Sequence, residues 1–227
     1  PDTAYRFESG GHPRAIPTLT YEEFLQTHAR HYALPNSYTV LYGDMDIDRE
    51  LAFIDERFRN AAERDAGEPN PLALQAPVSP VPARVEMATA AGNASVGVSY
   101  VIGSAADRTR VLAADVLLDA LCGSNEAPLK RRVMDAGLAD DFQAMLLDGM
   151  LQPQAMFQLK GTREGAAKKF RALLEETCAE LAEKGIPRDK LSAALAQAEF
   201  NLREGDWGGY PDGVALSMCV MSSWLYD

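Results

Sequence analysis

The chain has 227 residues, with 33 acidic and 22 basic side chains and a formal net charge of −11. A chain this acidic repels nucleic acids and anionic membranes, and we expect neither as a partner. A hydrophobic content of 47% over this length allows one large domain or two small ones. The three cysteines include no C-x-x-C pair, which favours free thiols in a reducing compartment over a disulfide framework.

The first 65 residues are predicted to form a helix, a strand and a second helix. Residues 20–23 (TYEE) have the pattern of a capping box, which predicts a helix that runs to about residue 32. Residues 37–42 (SYTVLY) are rich in β-formers and predict a short strand. Apolar residues recur at helical spacing over residues 48–62. One strand and two helices cannot close a core, so we expect this segment to need partners from elsewhere.

A proline-rich stretch follows this first segment. Five prolines fall between residues 69 and 82, a density that blocks helices and central strands alike. We therefore place a linker at residues 66–84 and a second domain at residues 85–227. The chain starts with Pro1 instead of Met, and its last residues continue an apolar helical pattern. We expect it to be a piece of a longer protein, with the second domain truncated at its C-terminus.

The second domain is predicted to be of the α+β class. Hydrophobic periodicity and the positions of Gly, Pro and Asp predict three strands and five helices, in the order βααββααα. The strands are predicted at residues 95–103, 141–150 and 154–162, and the helices at 107–122, 128–136, 164–184, 187–204 and 214–225. Adjacent strands followed by a run of helices predict an antiparallel sheet with helices packed on one face.

The sequence predicts no catalytic, cofactor-binding or metal-binding residue in this chain. Its three histidines are His12, His28 and His31, and neither H-E-x-x-H nor H-x-x-E-H is present. His28 and His31 lie three residues apart on a predicted helix, so both could reach one ion. A catalytic zinc needs a third protein ligand in good geometry, and we interpret both as surface residues.

Three aspartates resemble the start of a calcium loop. Asp44, Asp46 and Asp48 alternate as in an EF-hand, but Arg49 stands where the sharp turn requires glycine. Aspartates at a helix N-terminus also offset the helix dipole without any metal. We favour this second role, and the sequence leaves the question open.

Two blocks of sequence carry a resemblance to a known family. The first is S-G-G-x-P-x-x-I-P-x-L-T-Y-E-E-F at residues 9–24, followed by H-Y-x-x-P-N-S at residues 31–37 and Y-G-D at residues 42–44. It resembles the presequence-protease branch of the pitrilysin/insulinase zinc metallopeptidases. The second block, residues 117–138, resembles the second homologous domain of that family.

The resemblance implies a zinc peptidase that encloses unfolded peptides in a chamber of four similar α+β domains. In that family two histidines of an H-x-x-E-H helix and a later glutamate hold the zinc, at positions that precede the SGG loop. This chain would then supply the end of the first domain, the linker and much of the second, non-catalytic domain. The implied fold is the α/β roll of these enzymes. The implied location is the cytoplasm of a bacterium, or an organelle matrix in a eukaryote.

Two other interpretations stay open. The parent protein could be a non-catalytic relative that uses the same fold as an assembly scaffold, as the core proteins of a respiratory complex do. The chain could also be an independent α+β interaction domain. In each case the unpaired first segment predicts exposed apolar faces and, through them, contacts between copies of the chain.

Overall fold

The computed structural model describes residues 2–61, 73–77, 83–86, 88, 90 and 92–226. Most of the linker predicted at residues 66–84 lies outside these described residues. The chain divides into two compact units. The first unit comprises Pro1–Val78 with Pro211–Met218, and the second comprises Ser79–Tyr210 with Cys219–Asp227.

Helix α1 of the first unit spans Tyr21–His31 and begins at the predicted capping box. The Glu23 backbone N–H donates to the Thr20 hydroxyl at 3.2 Å, and the Thr20 N–H donates to the Glu23 carboxylate at 2.9 Å. These reciprocal bonds satisfy two backbone donors that a helix start leaves unpaired. The Thr20 hydroxyl also donates to the Glu23 carboxylate, at 2.8 Å. The bonds from the Thr20 N–H and hydroxyl lower the pKa of Glu23, because both favour its ionised form. The predicted helix start is therefore confirmed.

Helix α2 spans Ile47–Ala61, close to its predicted bounds. The strand predicted at residues 37–42 is wrong, because no ladder forms there. Ser37 has extended backbone angles (φ −129°, ψ 145°), but none of the strands in the described part of the chain pairs with this segment. A β-rich sequence becomes a strand only where a neighbour accepts its backbone hydrogen bonds.

The first unit buries very little apolar surface. Among its described residues only Ala33 and Ala215 are buried hydrophobics. Large side chains of α1 and α2 stay exposed, including Phe24 at 62% and Phe53 at 52%. The helices of this unit are therefore formed by local signals and lack the apolar cover that usually stabilises an amphipathic helix.

The second unit contains a three-stranded antiparallel sheet. Its strands are β1 (Ser95–Val101), β2 (Asp141–Leu147) and β3 (Gln154–Lys160), in the spatial order β1-β3-β2. Phe157 at the centre of β3 lies opposite Val98 of β1 and Ala144 of β2. The predicted α+β class with an antiparallel sheet is confirmed, although all three strands end two to three residues before the predicted bounds.

Local signals place the helices of the second unit. They are α3 (Arg108–Cys122), α4 (Pro128–Asp135), α5 (Ala166–Lys184) and α6 (Arg188–Glu204). A further helix, α7 (Asp212–Trp224), runs across the division between the units. The Asp107 carboxylate caps α3 by accepting from the Arg110 N–H at 3.1 Å. Gly185 ends α5 at a positive φ of 86°, which favours glycine. No helix among the described residues is both long and apolar enough to cross a membrane.

The core of the second unit lies between one face of the sheet and the helices α3, α4 and α5. Three phenylalanines form its centre: Phe142 stacks on Phe157 at 6.4 Å and meets Phe170 edge-to-face at 5.9 Å, between ring centroids. Leu129, Leu159 and Phe170 are completely buried. The predicted packing of helices on one face of the sheet is therefore confirmed.

An exposed ion-pair network joins α4 to α5. Arg132 of α4 donates to the Glu180 carboxylate at 2.5 Å, and Lys184 donates to its other oxygen at 3.0 Å. These two bonds lower the pKa of Glu180 to about 2. The carboxylate therefore stays charged in the folded chain well below the pH at which a free glutamate takes up a proton.

Candidate functional site

The structure assigns other contacts to the histidines. The His28 ring stacks on Tyr32 with centroids 4.7 Å apart and planes 11° from parallel. His12 accepts a hydrogen bond from the Arg14 backbone N–H at 3.2 Å. Among the described residues no group of three or more His, Cys, Asp or Glu side chains could hold a metal ion. These residues do not fit a catalytic zinc, and we derive no chemical step through one.

Two of the three predicted aspartates serve the start of α2. The Asp46 carboxylate accepts from the Arg49 backbone N–H at 3.2 Å, which is the contact of an N-cap. Asp48 lies in the first turn of the helix, where a negative charge opposes the positive end of the dipole. Asp44 lies just before this helix, and the helix-dipole role favoured for it from the sequence stays a prediction.

The cysteines are poor candidates for nucleophiles. Cys122 is buried at the end of α3, and this burial, together with the nearby Cys178, raises the pKa of its thiol to about 12. Burial also raises the pKa of Cys178 on α5. Since the thiolate is the reactive form, both pKa shifts disfavour nucleophilic reactivity at neutral pH.

A small pocket with charged and apolar walls lies between α3 and the end of β2. Its volume is about 150 Å³, and we call it the α3–β2 pocket. It is lined by Arg108, Val111, Leu112, Asp115, Leu146 and Asp148. The four residues from α3 are spaced at i, i+3, i+4 and i+7, which places them on one face of the helix. Leu146 of β2 and Asp148 just after it supply the opposite wall.

Arg108 joins three parts of the second unit at this pocket. Its Nη1 donates to the Asp148 carboxylate at 3.2 Å and to the Ser222 hydroxyl at 3.5 Å. The ion pair is partly shielded, because 31% of the Arg108 side chain is exposed. A guanidinium carries five N–H donors, and both of these bonds come from one nitrogen. The other nitrogens of Arg108 have no hydrogen-bond partner among the described residues.

Asp115 is the charged group of the pocket that lacks a counter-ion. Its carboxylate makes no hydrogen bond or ion pair with the described part of the chain. Burial raises the pKa of Asp115, the carboxylates of Asp148 and Asp119 raise it further, and Arg108 opposes them. The ionised carboxylate is therefore less stable here than in water, as expected for a charge whose partner is missing.

Sequence reasoning missed this pocket. The helical spacing of Arg108 and Asp115 was the signal available, since it places both on one stripe of α3. That Asp148 faces this stripe depends on how β2 packs beneath α3. No local pattern of residues encodes that contact.

Comparison with known proteins finds a matching family and relatives that align with the whole chain. The family model described as the peptidase M16 inactive domain matches residues 18–198. Protein HypA of Clostridium perfringens is 34% identical over all of this chain and 24% of its own length. Presequence protease 1 (chloroplastic/mitochondrial) of Arabidopsis thaliana is 29% identical over all of this chain and 22% of its own length. The chain thus spans about a quarter of the length of these curated relatives.

A solved structure shares the fold. A protein described as an M16-like peptidase, from Alicyclobacillus acidocaldarius, superposes with a TM-score of 0.52 over 94% of this chain and 55% of its own. At 18% identity this likeness concerns the fold alone.

Proposed function

Because the chain belongs to the peptidase M16 inactive-domain family, we propose that it is a non-catalytic part of a zinc-dependent metalloendopeptidase. The longer protein cuts unfolded peptides with a zinc-activated water, and the residues that hold the zinc lie outside these 227 residues. The observation that carries this proposal is the family match over residues 18–198. The presequence protease among the relatives supports the peptidase activity of the longer protein.

The contrast between the two units supports a domain organisation, which we also propose. We assign residues 1–65 to the C-terminal part of a first peptidase-like domain, residues 66–84 to a linker, and residues 85–227 to the second domain. The exposed apolar side chains of α1 and α2 support this assignment. They are the surface that the missing strands of a first domain would cover.

In this proposal the second domain forms part of the wall of a closed chamber. Its sheet has a helix-covered face, and the side chains that alternate with the core residues point to the other face. Met145 and Met156 lie opposite one another in this second set, outside the core cluster. A sheet face with both polar and apolar side chains suits a wall along which unfolded peptides move. The partners are then peptide substrates and the other domains of the same protein, in the bacterial cytoplasm or an organelle matrix.

Zinc content and peptide cleavage test the proposal. Both are measured on the 227-residue chain and on the longer protein, with an unstructured peptide and with or without a chelator. We expect the longer protein to hold zinc and to cleave the peptide, with the chelator abolishing cleavage. We expect the chain alone to do neither. Stoichiometric zinc or chelator-sensitive cleavage in the chain alone would overturn the proposal.

A matched variant makes this test sharper. Replacing both His28 and His31 by Asn in the longer protein should leave its zinc content and cleavage rate unchanged, because neither side chain is a ligand in this proposal. A loss of zinc from that variant would contradict it. A longer protein that neither binds zinc nor cleaves peptides would instead support the assembly scaffold.

A further inference from the structure

The α3–β2 pocket has the polar and apolar groups that recognise a small zwitterion. At one end, Arg108 has N–H donors without a partner in the described chain, although its Nη1 is bonded to Asp148 and Ser222. At the other end, Asp115 has a carboxylate without a counter-ion. Val111, Leu112 and Leu146 form the aliphatic wall between them. Each charged group is thus left with bonding capacity at the same small pocket.

The size of the pocket limits what it can hold. Its volume of about 150 Å³ matches that of a cavity that binds one benzene-sized molecule. Arg108 and Asp115 are seven residues apart on the pocket-facing side of α3, and both line the pocket, so a ligand of this size lies within reach of both.

We propose that the α3–β2 pocket binds a free α-amino acid with an aliphatic side chain. The carboxylate of the ligand accepts from Arg108, its ammonium donates to Asp115, and its side chain packs on Val111, Leu112 and Leu146. Charge-assisted bonds at both ends make the site selective, since a ligand without one charge leaves a partly buried group unpaired. This site is independent of the proposed peptidase function and would exist in a scaffold protein as well.

Titration of the 227-residue chain tests the proposal. L-leucine is compared with 3-methylbutylamine, which lacks the carboxylate, and with 4-methylpentanoate, which lacks the ammonium, by shifts of backbone amide resonances. We expect saturable binding of leucine with shifts confined to α3 and the end of β2. Each single-charge analogue should bind at least about tenfold more weakly, which is the loss of roughly one charge-assisted bond. A leucyl dipeptide is titrated as well, and weaker binding of the dipeptide than of leucine would show that the pocket takes a free amino acid and not the end of a peptide.

Asp115→Asn is the decisive variant. It removes the unpaired charge and keeps the shape, so the chain should fold. It should weaken leucine binding at least about tenfold. 4-Methylpentanoate has no ammonium to donate to Asp115 and is no longer repelled by its charge, so it should bind the variant no more weakly than the unchanged chain. Asp119→Asn, one turn further along the same helix and outside the pocket, is the matched control and should change leucine binding less than about threefold.

Several results would overturn the proposal. Leucine could fail to saturate the chain below about 50 mM, which is too weak for two charge-assisted bonds. The single-charge analogues could bind as tightly as leucine, which would leave only apolar contact. Asp115→Asn could bind leucine as the unchanged chain does, or the dipeptide could bind more tightly than leucine.

Discussion

The two units of the chain form helices equally well but bury very different amounts of apolar surface. In the second unit, phenylalanines and leucines from two strands and three helices are almost completely buried. In the first unit, α1 has a complete capping box, yet Phe24 on the same helix is 62% exposed. Local hydrogen bonds therefore determine where a helix starts, whereas stability depends on a second layer that covers its apolar face.

The largest expected effect is a difference in stability when phenylalanine is replaced by alanine in one unit or in the other. Phe170→Ala removes a fully buried ring from the core and should lower the free energy of unfolding by about 3–5 kcal/mol. Phe24→Ala removes an exposed ring and should change it by less than about 0.5 kcal/mol. Chemical denaturation of both variants, followed by circular dichroism, measures the difference. Equal losses would mean that the first unit has a core of its own.

A smaller effect is expected from a polar atom inside the second unit. The hydroxyl of Thr177 on α5 is buried and has no hydrogen-bond partner within the described residues. Thr177→Val keeps the shape and removes this unpaired group, so it should raise the free energy of unfolding by about 1 kcal/mol. Thr109→Val, on the exposed side of α3, is the control and should change stability by less than about 0.5 kcal/mol. Destabilisation by the Thr177 substitution would show that its hydroxyl is bonded in solution.

The smallest expected effect depends on pH and concerns the surface of the second unit. Arg132 and Lys184 lower the pKa of Glu180 from 4.5 to about 2, so its charged form is favoured by folding. This contribution is fully present above pH 4.5 and is lost as the pH falls towards 2. Glu180→Gln should therefore be less stable than the unchanged chain at pH 7, with the difference disappearing in acid and shrinking in high salt.

The control for this pH dependence is Glu183→Gln. Glu183 lies on the same helix and makes no ion pair with any described residue. The difference in stability between this variant and the unchanged chain should therefore not disappear between pH 4.5 and pH 2 as it does for Glu180→Gln. Denaturation curves of the three proteins between pH 2 and pH 7 provide the comparison. A constant difference for Glu180→Gln over that range would contradict the role given to the Arg132–Glu180 pair.

The features that sequence predicted correctly are those with a local cause. The capping box at Thr20, the Asp107 cap and Gly185 each mark a helix end with residues that lie within one turn of it. The segment at residues 37–42 has an equally clear β pattern, but a strand also needs a neighbour, and none of the described strands supplies one. Local composition therefore indicated a β preference and could not predict the missing pairing.

The contacts that sequence missed are those that bring distant residues together. Arg108 and Asp148 are 40 positions apart, and Arg132 and Glu180 are 48 apart. Both pairs form because helices pack over the same sheet face, which no motif specifies. The family resemblance at residues 9–24 and 117–138, in contrast, was readable directly and agrees with the family match over residues 18–198.

Hydrogen exchange tests most directly whether this chain is a structural part of a larger peptidase. Backbone amides of α1, α2 and β3 are compared in the 227-residue chain and in the longer protein. We predict fast exchange in α1 and α2 of the isolated chain, slow exchange in β3, and strong protection of α1 and α2 once the longer protein covers them. Protection of α1 and α2 that already equals that of β3 in the isolated chain would contradict the account.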